Sequence, residues 1–323
     1  MNKTPVTEDP GLSAQIMLKG EVVAFPTETV YGIGALVDKP EALRRIFTLK
    51  GRPADNPLIL HFASPDQIAD FADTSSELAQ ILITKFFPGA LTLILPKIAP
   101  LSNLITAGLM TVGVRSPSHP QAQALLRSLP LPVAAPSANL SGKPSATHWK
   151  DVLHDFPDGL GAILKGESTL GLESTILDLT QFPVRLLRYG SIPIEELTRL
   201  IPDLLVTTES DPLSATPPPS PGMKYRHYAP DGEIIIWSFG DPFPPVTNPS
   251  ECGYIGLNSH DPAASPMIYD LCVESLEAYA QSLYAFLREC DRRGLKQIIC
   301  QKPPHTGIGI SIYDRLIKAS SKI

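Results

Sequence analysis

A short segment, Lys50–Pro57, combines cationic, amide and rigid residues in a pattern that suits an anion. Lys50 and Arg52 are separated by one glycine, Asn56 follows, and the next apolar run ends at His61. The prolines of the segment fix φ and therefore stiffen the turn. Lysine and arginine are the side chains that bind phosphate and carboxylate groups. The residue types and their spacing therefore predict a rigid turn that binds phosphate.

Further polar residues follow predicted strands, where ligand loops of open α/β sheets lie. Phe25–Gly32 carries threonines and one carboxylate, and residues 135–145 carry the pair Ser137-x-Asn139. Arg115 ends an apolar strand, where a buried cation needs a carboxylate or phosphate partner. Each feature also has a structural interpretation: a solvated turn, a structural ion pair for Arg115, and a core histidine for His61.

Several nucleotide and hydrolase motifs are missing from the sequence. It has no Gly-x-x-x-x-Gly-Lys-Ser/Thr P-loop, no Gly-x-Ser-x-Gly elbow, no His-Glu-x-x-His and no kinase motif set. Gly32-Ile33-Gly34 follows a strand but lacks the third glycine of a dinucleotide fingerprint, so we expect a tight β-turn there. Covalent serine chemistry and a zinc hydrolase are therefore disfavoured.

Composition sets further limits on the class of protein. A length of 323 residues suggests two domains, and 43% hydrophobic with 19% charged residues fits a globular chain. The net charge of −6 argues against a generally basic nucleic-acid coat. The 4 cysteines form no CxxC pair, so neither a zinc site nor a disulfide framework is indicated. Without an apolar run of membrane length or a signal-peptide pattern, we expect a cytoplasmic protein that does not contact a membrane.

The elements that must position these residues alternate between strands and helices. Apolar runs and helical periodicity through the first two hundred residues predict an α/β domain with a many-stranded sheet. Residues 215–222 are rich in proline and predict an extended linker. A second strand-helix-strand succession predicts a small Rossmann-like domain without a Gly-x-Gly-x-x-Gly site. We place the domains at 1–205 and 232–323, with the linker at 206–231. Strands are predicted at 22–25, 58–62, 91–95, 111–115, 133–135, 162–164, 174–178, 184–188, 234–239, 253–257, 267–271 and 297–300, and helices at 41–49, from 65, 77–87, 120–128, 146–156, 193–200, 276–293 and 311–319.

Several of these motifs occur together and in one order, and the combination resembles the YrdC-type threonylcarbamoyl-AMP synthases in their long, two-domain form. The motifs are Lys50-x-Arg52, Ser137-x-Asn139, Phe25–Gly32 and Ser220–Pro230. The resemblance is dense over residues 20–189, strong again in the linker and only general in the C-terminal domain. It implies an N-terminal twisted mixed sheet with flanking helices. It also implies a nucleotidyltransferase that converts L-threonine, bicarbonate or CO2 and ATP into threonylcarbamoyl-adenylate and pyrophosphate, for use in tRNA modification.

The resemblance also implies roles for individual residues. Lys50 and Arg52 would hold the triphosphate and the leaving group as the catalytic pair, and Arg115 would hold the carboxylate of threonine. The full implied ATP set is Lys50, Arg52, Asn56, Thr111, Ser137, Asn139, Ser145, Arg188 and Tyr228. The implied threonine set is Thr29, His61, Arg115, Ala135 and Thr175.

Cofactor and partners follow from the same resemblance. Mg²⁺ would accompany ATP without a protein ligand set, because no carboxylate cage is visible in the sequence. A tRNA threonylcarbamoyl transferase would take the product, and direct RNA contact is possible. Tyr225, Arg226, His227 and Tyr228, which follow the proline tract, would form a lid over the groove. Two alternatives stay open: a double-stranded RNA-binding module, and a carbamoyl-transfer enzyme of the hydrogenase-maturation type.

Overall fold

In a computed structural model, residues 3–206, 228–259 and 267–321 are described. Residues 3–206 contain one eleven-stranded mixed sheet with the order β1-β8-β2-β3-β7-β4-β6-β5-β9-β10-β11. The predicted α/β fold class, with a large twisted mixed sheet, is confirmed. The strands are β1 (Val6–Thr7), β2 (Val23–Phe25), β3 (Gly32–Leu36), β4 (Ile59–His61), β5 (Leu91–Pro96), β6 (Thr111–Arg115), β7 (Val133–Ala135), β8 (Ala162–Leu164), β9 (Thr175–Asp178), β10 (Arg185–Arg188) and β11 (Leu205–Val206).

A second, smaller sheet lies in the C-terminal part of the chain. All of its neighbouring strands are parallel, in the order β12-β15-β13-β14, which is the Rossmann-like arrangement predicted for this part. Most of the predicted linker, 206–231, falls outside the described residues, so the exact domain limits stay a prediction. The strands are β12 (Glu233–Trp237), β13 (Cys252–Gly256), β14 (Tyr269–Cys272) and β15 (Gln297–Gln301).

The helices flank both sheets. In the described part of the chain, no helix is long and apolar enough to span a membrane. The segment predicted as helical after Ser64 is a 3₁₀ helix, Pro65–Asp70, and a further 3₁₀ turn covers Pro249–Glu251. The α-helices are α1 (Pro10–Leu18), α2 (Pro40–Lys50), α3 (Glu77–Phe86), α4 (Asn103–Thr106), α5 (Pro120–Arg127), α6 (Trp149–Asp155), α7 (Ile194–Leu200), α8 (Leu276–Arg292) and α9 (Ile308–Ser320).

Helix α2 determines where the predicted anion-binding turn begins. Pro40 occupies its first position, and the apolar face that includes Leu43 and Ile46 is buried against the sheet. Gly51 ends the helix with a left-handed φ of 59°, a conformation that glycine adopts without steric cost. The stop at Gly51 leaves Lys50 in the last turn of the helix, buried beside the loop after β7.

The tight turn predicted at Gly32-Ile33-Gly34 is wrong, because these residues form the start of β3. The strand pairs with β2 and β7 and is buried along its whole length. A Cβ added at Gly34 would lie 2.5 Å from Val133 Cγ1 and 3.0 Å from Ala135 Cβ. The glycine is therefore required by close packing within the sheet and not by a turn.

The register of three central strands places functional side chains on one face of the sheet. In the parallel pair of β4 and β6, His61 lies opposite Arg115. In the antiparallel pair of β4 and β7, Ile59 lies opposite Ala135. Residues opposite each other share a face, and side chains alternate with a period of two. His61, Arg115, Ile59 and Ala135 therefore line the same side.

Candidate active site

The face formed by β4, β6 and β7 is the floor of a cavity of about 380 Å³. This volume lies within the range of pockets that bind small ligands. Cationic and hydroxyl groups line it together with one carboxylate, an arrangement that suits an anionic ligand. The lining comprises Thr27, Thr29, Val30, Tyr31, Gly32, Lys50, Gly51, Arg52, Pro53, Asn56, Ile59, His61, Arg115, Ala135, Pro136, Ser137, Asn139, Ser141, Gly142, Ser145, Glu173, Ser174, Arg188 and Tyr228.

One part of the cavity is organised around Arg115. Its Nη1 donates to Thr29 Oγ1 at 2.9 Å, and its Nη2 forms an ion pair with Glu28. Glu28 in turn accepts a hydrogen bond from the Ser118 backbone N–H at 3.0 Å. Arg115 Nε is buried without a hydrogen-bond partner in the described structure. The guanidinium is thus held in place by an ion pair and still borders the cavity. The structural interpretation of this residue is confirmed, and its role in binding a ligand stays a prediction.

His61 lies beside Arg115 as a neutral imidazole. Its Nδ1 is 3.0 Å from the Ile59 carbonyl oxygen, and its ring packs edge-on against Phe25 with centroids 5.9 Å apart. Burial, and next the charge of Arg115, lower the pKa of His61 to about 3. His61 is therefore unprotonated near neutral pH, so it contributes shape and hydrogen bonding and no positive charge.

Lys50 joins helix α2 to the loop that follows β7. Its Nζ donates to the Ser137 carbonyl at 2.6 Å and to the Asn139 carbonyl. Within that loop, Ser137 Oγ donates to Asn139 Oδ1 at 2.6 Å. Burial and then the neighbouring charge of Arg52 lower the pKa of Lys50 well below its usual range. An anion in the cavity would reverse that shift, because opposite charge favours the ammonium form.

The turn predicted from the sequence is closed by Arg52. Its Nε donates to the Asn56 carbonyl at 3.2 Å and its Nη2 to the Pro57 carbonyl at 2.9 Å. Asn56 is 2% exposed, and its Oδ1 has no hydrogen-bond partner among the described residues. A buried polar atom without a partner is costly, so a donor on a bound ligand would stabilise this side chain.

The opposite wall of the cavity contains Glu173, which the sequence motifs did not single out. Ser145 Oγ donates to Glu173 Oε1 at 2.6 Å. Arg188 Nε donates to the Ser174 carbonyl at 3.0 Å, and its Nη2 to Ser174 Oγ at 3.0 Å. The Tyr228 ring stacks on Tyr284 of α8 with centroids 5.4 Å apart. This wall therefore combines residues from both parts of the chain.

Twelve of the fourteen residues implied by the resemblance line this one cavity. Thr111 begins β6, at the end of the strand remote from Arg115, and lies outside the lining. Thr175 begins β9 with its Oγ1 accepting from the Ile192 N–H at 3.3 Å, while its neighbour Ser174 faces the cavity. Of the predicted lid, Tyr228 is described, and residues 225–227 lie outside the described part of the chain.

The described residues contain no group of three or more histidine, cysteine, aspartate or glutamate side chains that could hold a metal ion. Glu173, the carboxylate in the cavity lining, is already bonded to Ser145, Tyr284 and Arg315. A metal in this cavity would therefore take most of its ligands from a bound substrate and from water.

The fold and the cavity define an α/β protein with a cavity lined by cationic and hydroxyl side chains. The sequence profile of the Sua5/YciO/YrdC family, described as telomere recombination, matches residues 15–190. The profile of the threonylcarbamoyl-AMP synthase C-terminal domain matches residues 192–321. The chain belongs to the Sua5/YciO/YrdC family, with the C-terminal domain found in its two-domain members.

Individual relatives match over nearly the whole chain. The threonylcarbamoyl-AMP synthase of Pyrococcus abyssi is 41% identical over 96% of this chain and 93% of its own length. That of Bacillus subtilis is 41% identical over 97% of this chain and 94% of its own length. The crystal structure of P. abyssi Sua5 complexed with L-threonine superposes with a TM-score of 0.88 at 38% identity, covering 99% of this chain and 98% of that one.

Proposed function

We propose that this protein joins L-threonine, bicarbonate or CO2 and ATP into threonylcarbamoyl-adenylate, releasing pyrophosphate. The observation that carries the proposal is a single cavity with two sets of anion-binding residues. Arg115 and Thr29 form one set, and Lys50 and Arg52 form the other. The relatives' shared name and the threonine bound in the P. abyssi structure support this assignment.

The chemistry explains the residue types. Bicarbonate takes up a proton and loses water to give CO2. Threonine's amine then forms a C–N bond with CO2 and releases a proton to solvent, which gives a carbamate. A carbamate oxygen then attacks the α-phosphorus of ATP as the bond to the pyrophosphate oxygen breaks. Both reactants are anionic, so the protein must mainly align them and neutralise charge. In this proposal Lys50 and Arg52 neutralise the triphosphate and the departing pyrophosphate. Because the AMP group of ATP is transferred to the carbamate, the enzyme is a nucleotidyltransferase.

Threonine would be held through its carboxylate by Arg115, because a guanidinium binds carboxylates with directed hydrogen bonds. Thr29 and the neutral His61 border the same space, with Ala135 forming part of the floor. On the nucleotide side, the unpartnered Asn56 Oδ1 would accept a hydrogen bond from ATP. The other proposed ATP contacts are Ser137, Asn139, Ser145, Arg188 and Tyr228. Thr111 and Thr175 remain proposed contacts from the resemblance alone.

Mg²⁺ would enter with ATP, held by phosphate oxygens and water, and would supply charge neutralisation at the phosphates. The product is an activated carbamate that a tRNA threonylcarbamoyl transferase would use, so we place the protein in the cytoplasm.

A double-stranded RNA module is less well supported. Lys50, Arg115 and Arg188 are only 3%, 4% and 8% exposed, and cannot reach the phosphates of a duplex.

Pyrophosphate release from ATP tests the proposal, with threonine and bicarbonate added or omitted in turn. We expect release only when ATP, threonine and bicarbonate are all present. Release that ignores threonine would contradict a synthase. Release that needs threonine but ignores bicarbonate would indicate simple amino-acid activation instead.

A further inference from the structure

Glu173 connects the cavity to the C-terminal part of the chain. It is 4% exposed, and its Oε1 accepts from Ser145 Oγ, which borders the cavity. Its Oε2 accepts from the Tyr284 hydroxyl of α8 at 2.9 Å and from Arg315 Nε of α9 at 2.8 Å. One carboxylate therefore links a hydroxyl of the proposed nucleotide side to two C-terminal helices.

Arg315 is the buried cation of this link. Its side chain is fully buried, and its Nη2 donates to the Tyr189 carbonyl at 2.6 Å. Its guanidinium lies 5.2 Å from the centroid of the Tyr228 ring, and its Nη1 pairs with Asp314. A buried arginine held by so many contacts has little freedom to move, so its position fixes that of Glu173.

A second arginine of the same domain supports the same loop. Arg288 of α8 donates through Nη2 to the Pro144 carbonyl at 2.6 Å and through Nε to the Ser145 carbonyl at 3.3 Å. The guanidinium also forms an ion pair with Asp155 at 2.7 Å. The backbone and the side chain of Ser145 are thus both held, directly or through Glu173, by C-terminal helices.

The charge of Glu173 matters because a polyanion is proposed to bind beside it. A buried carboxylate without a counter-ion would repel nucleotide phosphates through a medium of low dielectric. Burial alone would raise the pKa of Glu173, but Arg315 and then Arg188 outweigh it and hold that pKa at about 2. Glu173 is therefore ionised, and its charge is balanced chiefly by Arg315.

We propose that Arg315 and Glu173 are positioning residues for the nucleotide. Arg315 orients Glu173 and offsets its charge, and Glu173 orients Ser145 toward the cavity. The C-terminal domain is then a component of the ATP side of the site, since it supplies the cation that makes this wall acceptable to phosphate. This inference rests on the proposed function only in taking ATP as the ligand.

The test is direct measurement of ATP and threonine binding by calorimetry on the full-length protein. In Arg315→Met the carboxylate of Glu173 loses its main counter-ion, so we expect the Kd for ATP to rise about tenfold or more. The Kd for threonine should change by less than about threefold, because Arg115 lies in a separate set of contacts. Equal ATP affinity in wild type and variant would overturn the proposal.

A charge-removing second substitution separates electrostatics from simple structural damage. In Arg315→Met/Glu173→Gln the repulsive charge is gone, so ATP affinity should recover most of what Arg315→Met lost. Damage to packing would not be repaired by Glu173→Gln, and failure to recover in a folded double variant would refute the charge argument.

If Arg315→Met does not fold, Tyr284→Phe provides a second test. It removes one donor to Glu173 Oε2 and should raise the Kd for ATP about threefold. No change in Tyr284→Phe would count against the proposal.

Arg292 provides a matched control on the same helix as Tyr284. It also pairs across to the first domain, with its Nη1 3.0 Å from Asp151, but Asp151 does not line the cavity. Arg292→Met should leave ATP affinity unchanged, and an equal loss there would show that any interdomain arginine has the same effect. If wild type itself binds no ATP, the proposed function fails, which is a different result from failure of this inference.

Discussion

The ion pair between Arg115 and Glu28 allows folding and threonine binding to be separated by substitution. Both side chains are almost fully buried, at 5% and 7% exposure, and Arg115 also donates to Thr29. Arg115→Met leaves the Glu28 carboxylate buried without its cation. Removing one partner of a buried pair costs about 3–5 kcal/mol of the free energy of unfolding. The single variant should therefore be strongly destabilised.

Arg115→Met/Glu28→Gln removes both charges, so part of that loss should be recovered. Coupling between residues in direct contact is about 0.5–3 kcal/mol, and we expect a value near the upper end for this pair. Threonine binding should not recover, because charge-assisted hydrogen bonds of about 1.5–3 kcal/mol are missing in both variants. That loss corresponds to a rise of about 10- to 150-fold in the Kd for threonine.

Urea unfolding gives the stabilities, and calorimetric titration gives the Kd values for threonine and ATP. The exposed pair of Arg45 and Glu21, with both side chains more than 40% exposed, is the control. Arg45→Met should cost less than about 1 kcal/mol and leave threonine binding unchanged. If the double variant regains threonine affinity along with stability, Arg115 is not the carboxylate clamp. If the single variant is as stable as wild type, the buried pair does not contribute as argued.

Two further predictions concern the sheet beneath the cavity. Gly34→Ala should cost about 1–3 kcal/mol of unfolding free energy by overpacking, and Gly34→Ala/Val133→Ala should be more stable than the summed single effects predict. The pKa of His61 is about 3 in the folded protein, compared with an ordinary value of 6.5. As the pH is lowered, the unfolded chain therefore binds a proton that the folded chain does not, and the free energy of unfolding decreases. Between pH 7 and 5 this residue should account for about 2 kcal/mol of the free energy of unfolding, so the loss of stability should be smaller in His61→Gln than in wild type. Equal pH dependence of urea unfolding in the two proteins would contradict the assignment.

Much of the fold was predictable because its strands are short apolar runs bounded by turn residues. Strands 111–115 and 133–135 were predicted with the bounds that the structure has. Strand β3 was not, because glycines are local turn signals and its need for small residues comes from Val133, almost a hundred positions later. Helix α1 was not predicted either, because its apolar residues do not collect on one side: Leu12 and Leu18 are exposed, while Ser13 is buried.

The site shows the same division between local and distant information. Polar groups are concentrated in two short segments, one at the end of helix α2 and one after strand β7, so Lys50, Arg52, Ser137 and Asn139 stand out in the sequence. Glu173 does not stand out, because its partner Arg315 is 142 positions away and its role depends on how the two parts of the chain pack. Residue contacts of that separation have no local pattern, so only the folded structure reveals them.

The product formed from ¹³C-labelled bicarbonate tests the central proposal most directly. Wild-type protein incubated with ATP, threonine and labelled bicarbonate should release pyrophosphate and form an adenylate that contains both threonine and the labelled carbon, detectable by mass spectrometry. An adenylate that lacks the label, or pyrophosphate release without any threonine-containing adenylate, would contradict the synthase reaction proposed for this cavity.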